Sequence, residues 1–269
     1  MRFFRLFGVA LISAVGAAGA VTAGSAGVVD NEALKQLAPT GTLRVGVAYA
    51  PSATPLFVVK DANGDVRGVP RTIGMALAKS LGANIDIVAK ATTGELADAL
   101  RSGAIDIAFM PVDDERRKIL DFSPPYFSIE CTYLVVATSG IKTLGEVDRP
   151  DVTVVGIAGS TTNRAASQTL QKAHVVSAKS IDDAMALMRS GKAQAFALTH
   201  DALPTLQAQL LGSRILDGAF KVNGVAIAIP KGRPAALAYI TEFMKNAKAN
   251  GTVRRALDEA GFDWIEVAP

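Results

Sequence analysis

Two stretches of this chain repeat the same order of elements, and that repetition constrains the fold more than any other feature. In the first, Leu43 to Ala48 alternates and then turns apolar, as a core strand does. Thr72 to Leu81 carries Ile73, Ala76, Leu77 and Ser80 at helical spacing and is stopped by Gly82. Asn84 to Val88 returns to strand, Thr93 to Arg101 is again helical with Gly103 as its stop, and Ile105 to Met110 is the next strand. The second stretch repeats the rhythm: Val152 to Ile157 as strand, Thr161 to Lys172 as helix, Val175-Val176 as a short strand. Ser180 then caps a helix over Ile181 to Arg189, with Asp182 and Asp183 favouring its dipole, and Gly191 precedes a strand over Ala193 to Leu198. Strands and helices alternating at this interval predict a mainly parallel sheet covered by helices. Arg101-Ser102-Gly103-Ala104 and Arg189-Ser190-Gly191-Lys192 hold equivalent places, which either duplication or ordinary helix C-capping produces.

The remaining segments suggest how the blocks are joined. Asn31 to Leu37 reads as a short helix ended by Pro39 and Gly41, and Asp61 to Asp65 as the turn of a small hairpin between Phe57-Val58-Val59 and Val66. Thr132 to Ala137 and Val225 to Ile229 are apolar runs placed to carry the chain out of the first block and back. Amphipathic helices over Ala235 to Ala249 and Thr252 to Ala260 then pack on the first block. The expected organisation is one lobe from residues 40–133 and 228–269 and a second from 134–227. One continuous domain with a larger sheet is the alternative.

At the N-terminus, Arg2 and Arg5 precede a largely apolar run from Phe7 to Val21 and then small residues, the layout of a cleaved signal peptide over residues 1–26. A membrane anchor is the competing reading, but the run is short for spanning and rich in Gly and Ala. The expected location is therefore the periplasm. Without those residues the chain has 26 basic and 25 acidic side chains, a balance that gives no reason to expect a nucleic-acid partner. The one cysteine, Cys131, excludes an internal disulfide and a cysteine metal cluster, and His174 and His200 alone make no metal site. Neither a Gly-x-Gly-x-x-Gly loop nor a phosphate loop follows a strand, so no cofactor is expected.

Four stretches together resemble family 3 of the bacterial extracellular solute-binding proteins, the group serving amino-acid ABC importers. They are Gly41 to Val47, Ser102 to Ile107, Asp114 to Lys118 with Asp121 to Tyr126, and Gly159-Ser160-Thr161. The resemblance implies an α/β periplasmic-binding-protein-like fold of two α/β lobes joined by two crossing hinge strands. It implies a monomer that captures a small carboxylate-bearing solute and hands it to importer membrane subunits. In such proteins the arginine at the position of Arg116 grips the solute's carboxylate, and a guanidinium offers a planar fork matched to two carboxylate oxygens. The bland alternative pairs Arg116 with Glu115 or Asp121 on the surface. Ser160, Thr161 and Thr162, at a strand-to-helix junction, would face the same anion from the other lobe, or simply cap the helix.

The chain also departs from that pattern. Where amino-acid-binding members commonly place an aspartate for the solute's ammonium, this chain has Thr199, followed by His200 and Asp201. Asp201 either reaches the same place after a local shift or caps the next helix. Gly68-Val69-Pro70 stands where Gly-Phe-Asp is frequent, and Met110-Pro111-Val112 where hydroxyl contacts are usual. With Thr54 and Phe57 nearby, Phe57, Met110 and Pro111 suggest a pocket more apolar than average. The same fold also occurs in periplasmic dehydratases acting on cyclic carboxylic acids, which would need an acid from Asp113, Asp114 or Asp201, and in ligand-sensing modules. A hydrolytic triad is disfavoured, because His200 and Asp201 are adjacent and point apart on extended backbone.

Overall fold

The computed structural model describes residues 31–49 and 54–269; the expected signal segment lies outside them. Nine helices and twelve strands are present among these residues. The first half opens with α1 (Asn31–Leu37) and β1 (Thr42–Ala48), followed by the hairpin β2 (Val59–Lys60) and β3 (Val66–Arg67). Helix α2 (Val69–Leu81), β4 (Asn84–Lys90), α3 (Thr93–Arg101), β5 (Ile107–Pro111), α4 (Asp114–Ile119) and β6 (Leu120–Phe122) follow. Strand β7 (Phe127–Val135) leads into the second half: β8 (Thr153–Ile157), α5 (Thr161–Thr169), β9 (His174–Ala178), α6 (Ile181–Arg189), β10 (Ala195–Thr199), α7 (Leu203–Gln207) and β11 (Arg214–Ile215). Strand β12 (Lys221–Pro230) returns to α8 (Pro234–Ala249) and α9 (Thr252–Glu259).

The strand order is β4-β1-β5-β12-β7-β10-β8-β9, and its two halves mirror each other. In the first, β1 lies parallel to β4 and β5, and β5 is antiparallel to β12. In the second, β8 lies parallel to β9 and β10, and β10 is antiparallel to β7. The halves are joined where β7 and β12 pair with each other, from Lys221 opposite Cys131 to Val225 opposite Phe127. Each long strand spends one end in its own half and the other at this crossing.

Each half has its own core. One is built from Leu43, Val45, Ile73, Leu77, Phe109, Ile227, Ile240 and Leu257, with a smaller cluster under α3 around Leu96 and Ile105. The other half has two clusters, one around Phe196, Met185 and Leu203 and one around Tyr133, Val154 and Ala195. Each fully buried Leu, Ile or Phe contributes about 1.5–3 kcal/mol relative to exposure, so each half has its own source of cohesion. The first is further pinned by Asp106, which is buried and accepts from the Arg44 backbone N–H at 2.9 Å and from its guanidinium at 2.9 and 2.6 Å.

Several boundaries differ from those read in the sequence. Helix α2 begins at Val69, because Pro70 fits the first helical turn, where a missing N–H leaves no intrahelical bond unmade. Helix α5 ends at Thr169: Asp148 accepts the N–H groups of Gln171, Lys172 and Ala173 and holds that segment off the helix. The short helix α4 has no apolar periodicity in the sequence and is set by its cap Asp113, whose side chain accepts from the Arg116 N–H.

Candidate functional site

In each half the parallel strands end toward the other half, and their C-terminal loops meet there, where α/β sheets hold ligands. They enclose a cavity of about 150 Å³. The first half supplies Ala48 from the end of β1, Phe57 from the segment before β2, Ala91 to Thr93 at the start of α3, and Pro111 ending β5. The second supplies Ile157 with Ser160 to Thr162 at the start of α5, Lys179 to Ile181 at the start of α6, and Leu198, Thr199, Asp201 and Ala202 after β10.

Three helix N-termini therefore converge on one space. Thr92 caps α3 and accepts from the Glu95 N–H; Ser160 caps α5 and accepts from Asn163; Ser180 caps α6 and accepts from Asp183. Thr161 and Thr162 are buried in the first turn of α5. Backbone N–H groups of first turns are free of intrahelical partners and favour anions.

Arg116 lies directly behind this surface rather than on it. Its side chain is 3% exposed. Nη1 donates to the Pro111 carbonyl at 2.8 Å, and Nη2 donates to the Thr93 hydroxyl at 2.8 Å and to the Gly159 carbonyl at 3.1 Å. Pro111 and Thr93 line the cavity. Arg116 does not pair with Glu115 or Asp121: Glu115 pairs with Lys118 and Asp121 with Lys231. All its side-chain acceptors are neutral oxygens. Burial first, and then the neighbouring Arg164 cation, lower its pKa to about 10, partly offset by Asp113.

Asp201 stands at the other end. A single turn of 3-10 helix over His200–Ala202 carries its carboxylate to the cavity, so it does not cap α7. Oδ2 accepts from the Thr54 hydroxyl of the opposite half at 2.6 Å, whereas Oδ1 is buried without a hydrogen-bond partner. Burial pushes this carboxyl above the usual range, against the lowering effect of the Thr54 and Thr199 hydroxyls.

The structure thus brings Phe57, Pro111, Ser160, Thr161, Thr162, Thr199 and Asp201 together around one cavity, with Thr54 attached to it through Asp201. Two expected residues are elsewhere. Met110 points into the cluster under α3, because alternation along β5 sends it to the face opposite Phe109. His200 lines a different cavity, beside Glu130 and Trp264 near the C-terminus. Thr92, Thr93 and Lys179 went unrecognised in the sequence. The capping pair Thr92 and Glu95 was the available signal for the first two; nothing local marks Lys179. Among the described residues no group of three His, Cys, Asp or Glu side chains is placed to hold a metal ion.

Two α/β lobes joined by crossing strands, with a small cavity between them, make up the periplasmic-binding-protein-like fold. A family model matches residues 43–261, and the chain belongs to the bacterial extracellular solute-binding proteins, family 3. It is 26% identical over 275 residues to the ABC transporter glutamine-binding protein of Bacillus subtilis (strain 168), covering 100% of this chain and 97% of that one. A crystal structure of an ancestral amino acid-binding protein, described as a precursor of cyclohexadienyl dehydratase, superposes with a TM-score of 0.69 at 30% identity, over 84% of this chain and 98% of that one. The solute receptor for L-cysteine of Neisseria gonorrhoeae shares the fold, with a TM-score of 0.72 at 20% identity over 85% and 92% of the two chains. A binding protein of the ABC-transporter type works with membrane-spanning subunits, and the family's description is extracellular.

Proposed function

We propose that this protein captures a small carboxylate-bearing solute, an amino acid or a related organic acid, in the periplasm and presents it to the membrane subunits of an ABC importer. The observation that carries this reading is a buried cation directly behind the cavity wall and a carboxyl at the other end of the cavity, neither of them hydrogen-bonded to an opposite charge. Arg116 is a buried cation whose guanidinium meets no carboxylate, because Asp113, close by, gives its oxygens to the Arg116 backbone N–H and to Arg164. Asp201 has one carboxyl oxygen, Oδ1, buried without a hydrogen-bond partner. A buried charge without its counterpart is unfavourable, and a zwitterionic solute supplies both counterparts at once.

In this reading the solute carboxylate sits against Thr93 and the first turn of α5, within the field of Arg116, and the ammonium meets Asp201. Phe57, Pro111, Ile157, Ile181 and Leu198 pack against an apolar portion between the two ends. Contacts from both halves exist together only in the closed form, so binding favours closure. The layout of residues 1–26 supports export, and amino-acid binding by the B. subtilis and ancestral relatives, as their names state it, supports the solute class.

The test is a thermal-shift panel on the purified protein with amino acids, their keto-acid and hydroxy-acid counterparts and dicarboxylates. A solute binding the native state raises the melting temperature by mass action. At least one carboxylate is expected to do so, and Arg116→Ala to abolish the effect. An unchanged shift in that variant contradicts the role of Arg116; no shift with any carboxylate contradicts the solute class.

A further inference from the structure

Beside the cavity the halves are tied together by groups of the protein itself. Arg164, on α5 of the second half, donates from Nε and Nη2 to Oδ2 of Asp113, the cap of α4 in the first, with 3.1 Å for the Nε bond. Both side chains are largely shielded, at 26% and 15% exposure. Arg164 Nη1 also donates to the Gly159 carbonyl at 2.9 Å, the same oxygen that Arg116 reaches from the first half. One carbonyl thus receives a cation from each side. The backbones touch at this point as well: a Cβ placed on Gly94 would stand 3.2 Å from the Gly159 Cα. A side chain at either glycine would push the facing backbone back by a few tenths of an ångström.

We propose that Asp113 and Arg164 form a latch that holds the halves together without solute, so that part of the population is closed before any solute arrives. The inference rests on the proposed opening and closing of the halves, and it names the residues that set that equilibrium. Two features make the pair a latch rather than part of the solute site. Asp113 and Arg164 line a separate cleft, with Asp114, Gln168 and Asn223, and do not line the cavity. Solute and latch can therefore be engaged together. The Asp113 oxygen that caps α4 is Oδ1, and the oxygen facing Arg164 is Oδ2, so the interlobe bond is separable from the helix cap.

The consequence for affinity is direct. Apparent affinity scales with the fraction of protein already in the binding-competent form, so a latch favouring closure tightens binding of every solute by the same factor. Arg164 is thus a positioning residue. Losing a shielded charge pair of this kind is expected to shift the open-to-closed ratio on the order of tenfold or more. Added salt weakens it only in part, since the pair is partly shielded.

The experiment needs no solute. Spin labels are placed at Asp98→Cys on α3 and Lys192→Cys after α6, both exposed; the single native cysteine, Cys131, is buried and stays unlabelled. Distances are measured by pulsed dipolar spectroscopy in the otherwise native protein and in Asp113→Asn, Arg164→Gln, the double variant and Arg164→Lys. Asn preserves the α4 cap, so Asp113→Asn removes the charge alone. The expected result is a short-distance population without solute that falls in either single variant, falls no further in the double, and is partly restored by Lys. A distribution identical in all variants, or one fully open in the native background, overturns the latch. Either outcome leaves the solute-binding reading to the thermal-shift panel, which does not depend on it.

Discussion

In the proposed function, Asp201 is the side chain on which solute identity turns. Its sequence neighbourhood left two roles open, and the 3-10 turn after β10 is what takes it to the cavity. Replacing it by Asn keeps the acceptor for Thr54 and removes the charge. Amino-acid affinity is expected to fall by about 2–5 kcal/mol in a titration calorimetry experiment, the range for removing one member of a buried charge pair, while the matching keto acid is little affected. The pH dependence follows from the raised carboxyl. The folded protein holds this proton to higher pH than the unfolded chain, so stability without solute falls as pH rises from the ordinary carboxylate range through the raised value. Asp201→Asn lacks this fall, and melting curves across that range show the difference. Cys131 offers a simpler check: burial pushes its thiol up to about 12, so a thiol reagent at neutral pH labels it only after unfolding.

Among the elements, those with local stop and start signals were legible and those set by distant partners were not. Helices α3 and α6 have the expected limits, Thr93–Arg101 and Ile181–Arg189, because threonine or serine caps and following glycines write their ends into the chain. Helix α4 was missed because its six charged-rich residues depend on the Asp113 side chain. The cavity was half legible for the same reason. Ser160 to Thr162 announce themselves as a cap, whereas Lys179 and the exclusion of Met110 follow only from how strands and loops are placed in space. Ser180→Ala tests the α6 cap and is expected to lower stability by about 0.5–2 kcal/mol in urea unfolding. Gly94→Val tests the contact between halves: its added atoms meet Gly159 only when the halves close. Solute affinity is expected to drop at least tenfold while urea stability without solute changes little, and retained affinity would mean that the halves need not approach so closely.

For the whole molecule, the alternation of strand and helix in two blocks, with two apolar runs between them, was enough to read two lobes and a crossing. The structure adds that each lobe has its own core and that the two meet through charged side chains, hydroxyls and bare glycine backbone. Such a junction can open without exposing a hydrophobic core, which suits a protein that must admit and release its solute. In the proposed function one carboxylate-bearing solute is held by both lobes at once. Hydrogen–deuterium exchange on the protein, with and without the solute found in the panel, tests it most directly. Slowed exchange is expected to appear together around residues 91–94 of the first lobe and around 158–163 and 199–202 of the second. Protection confined to one lobe, or to the cleft beside Trp264, would contradict it.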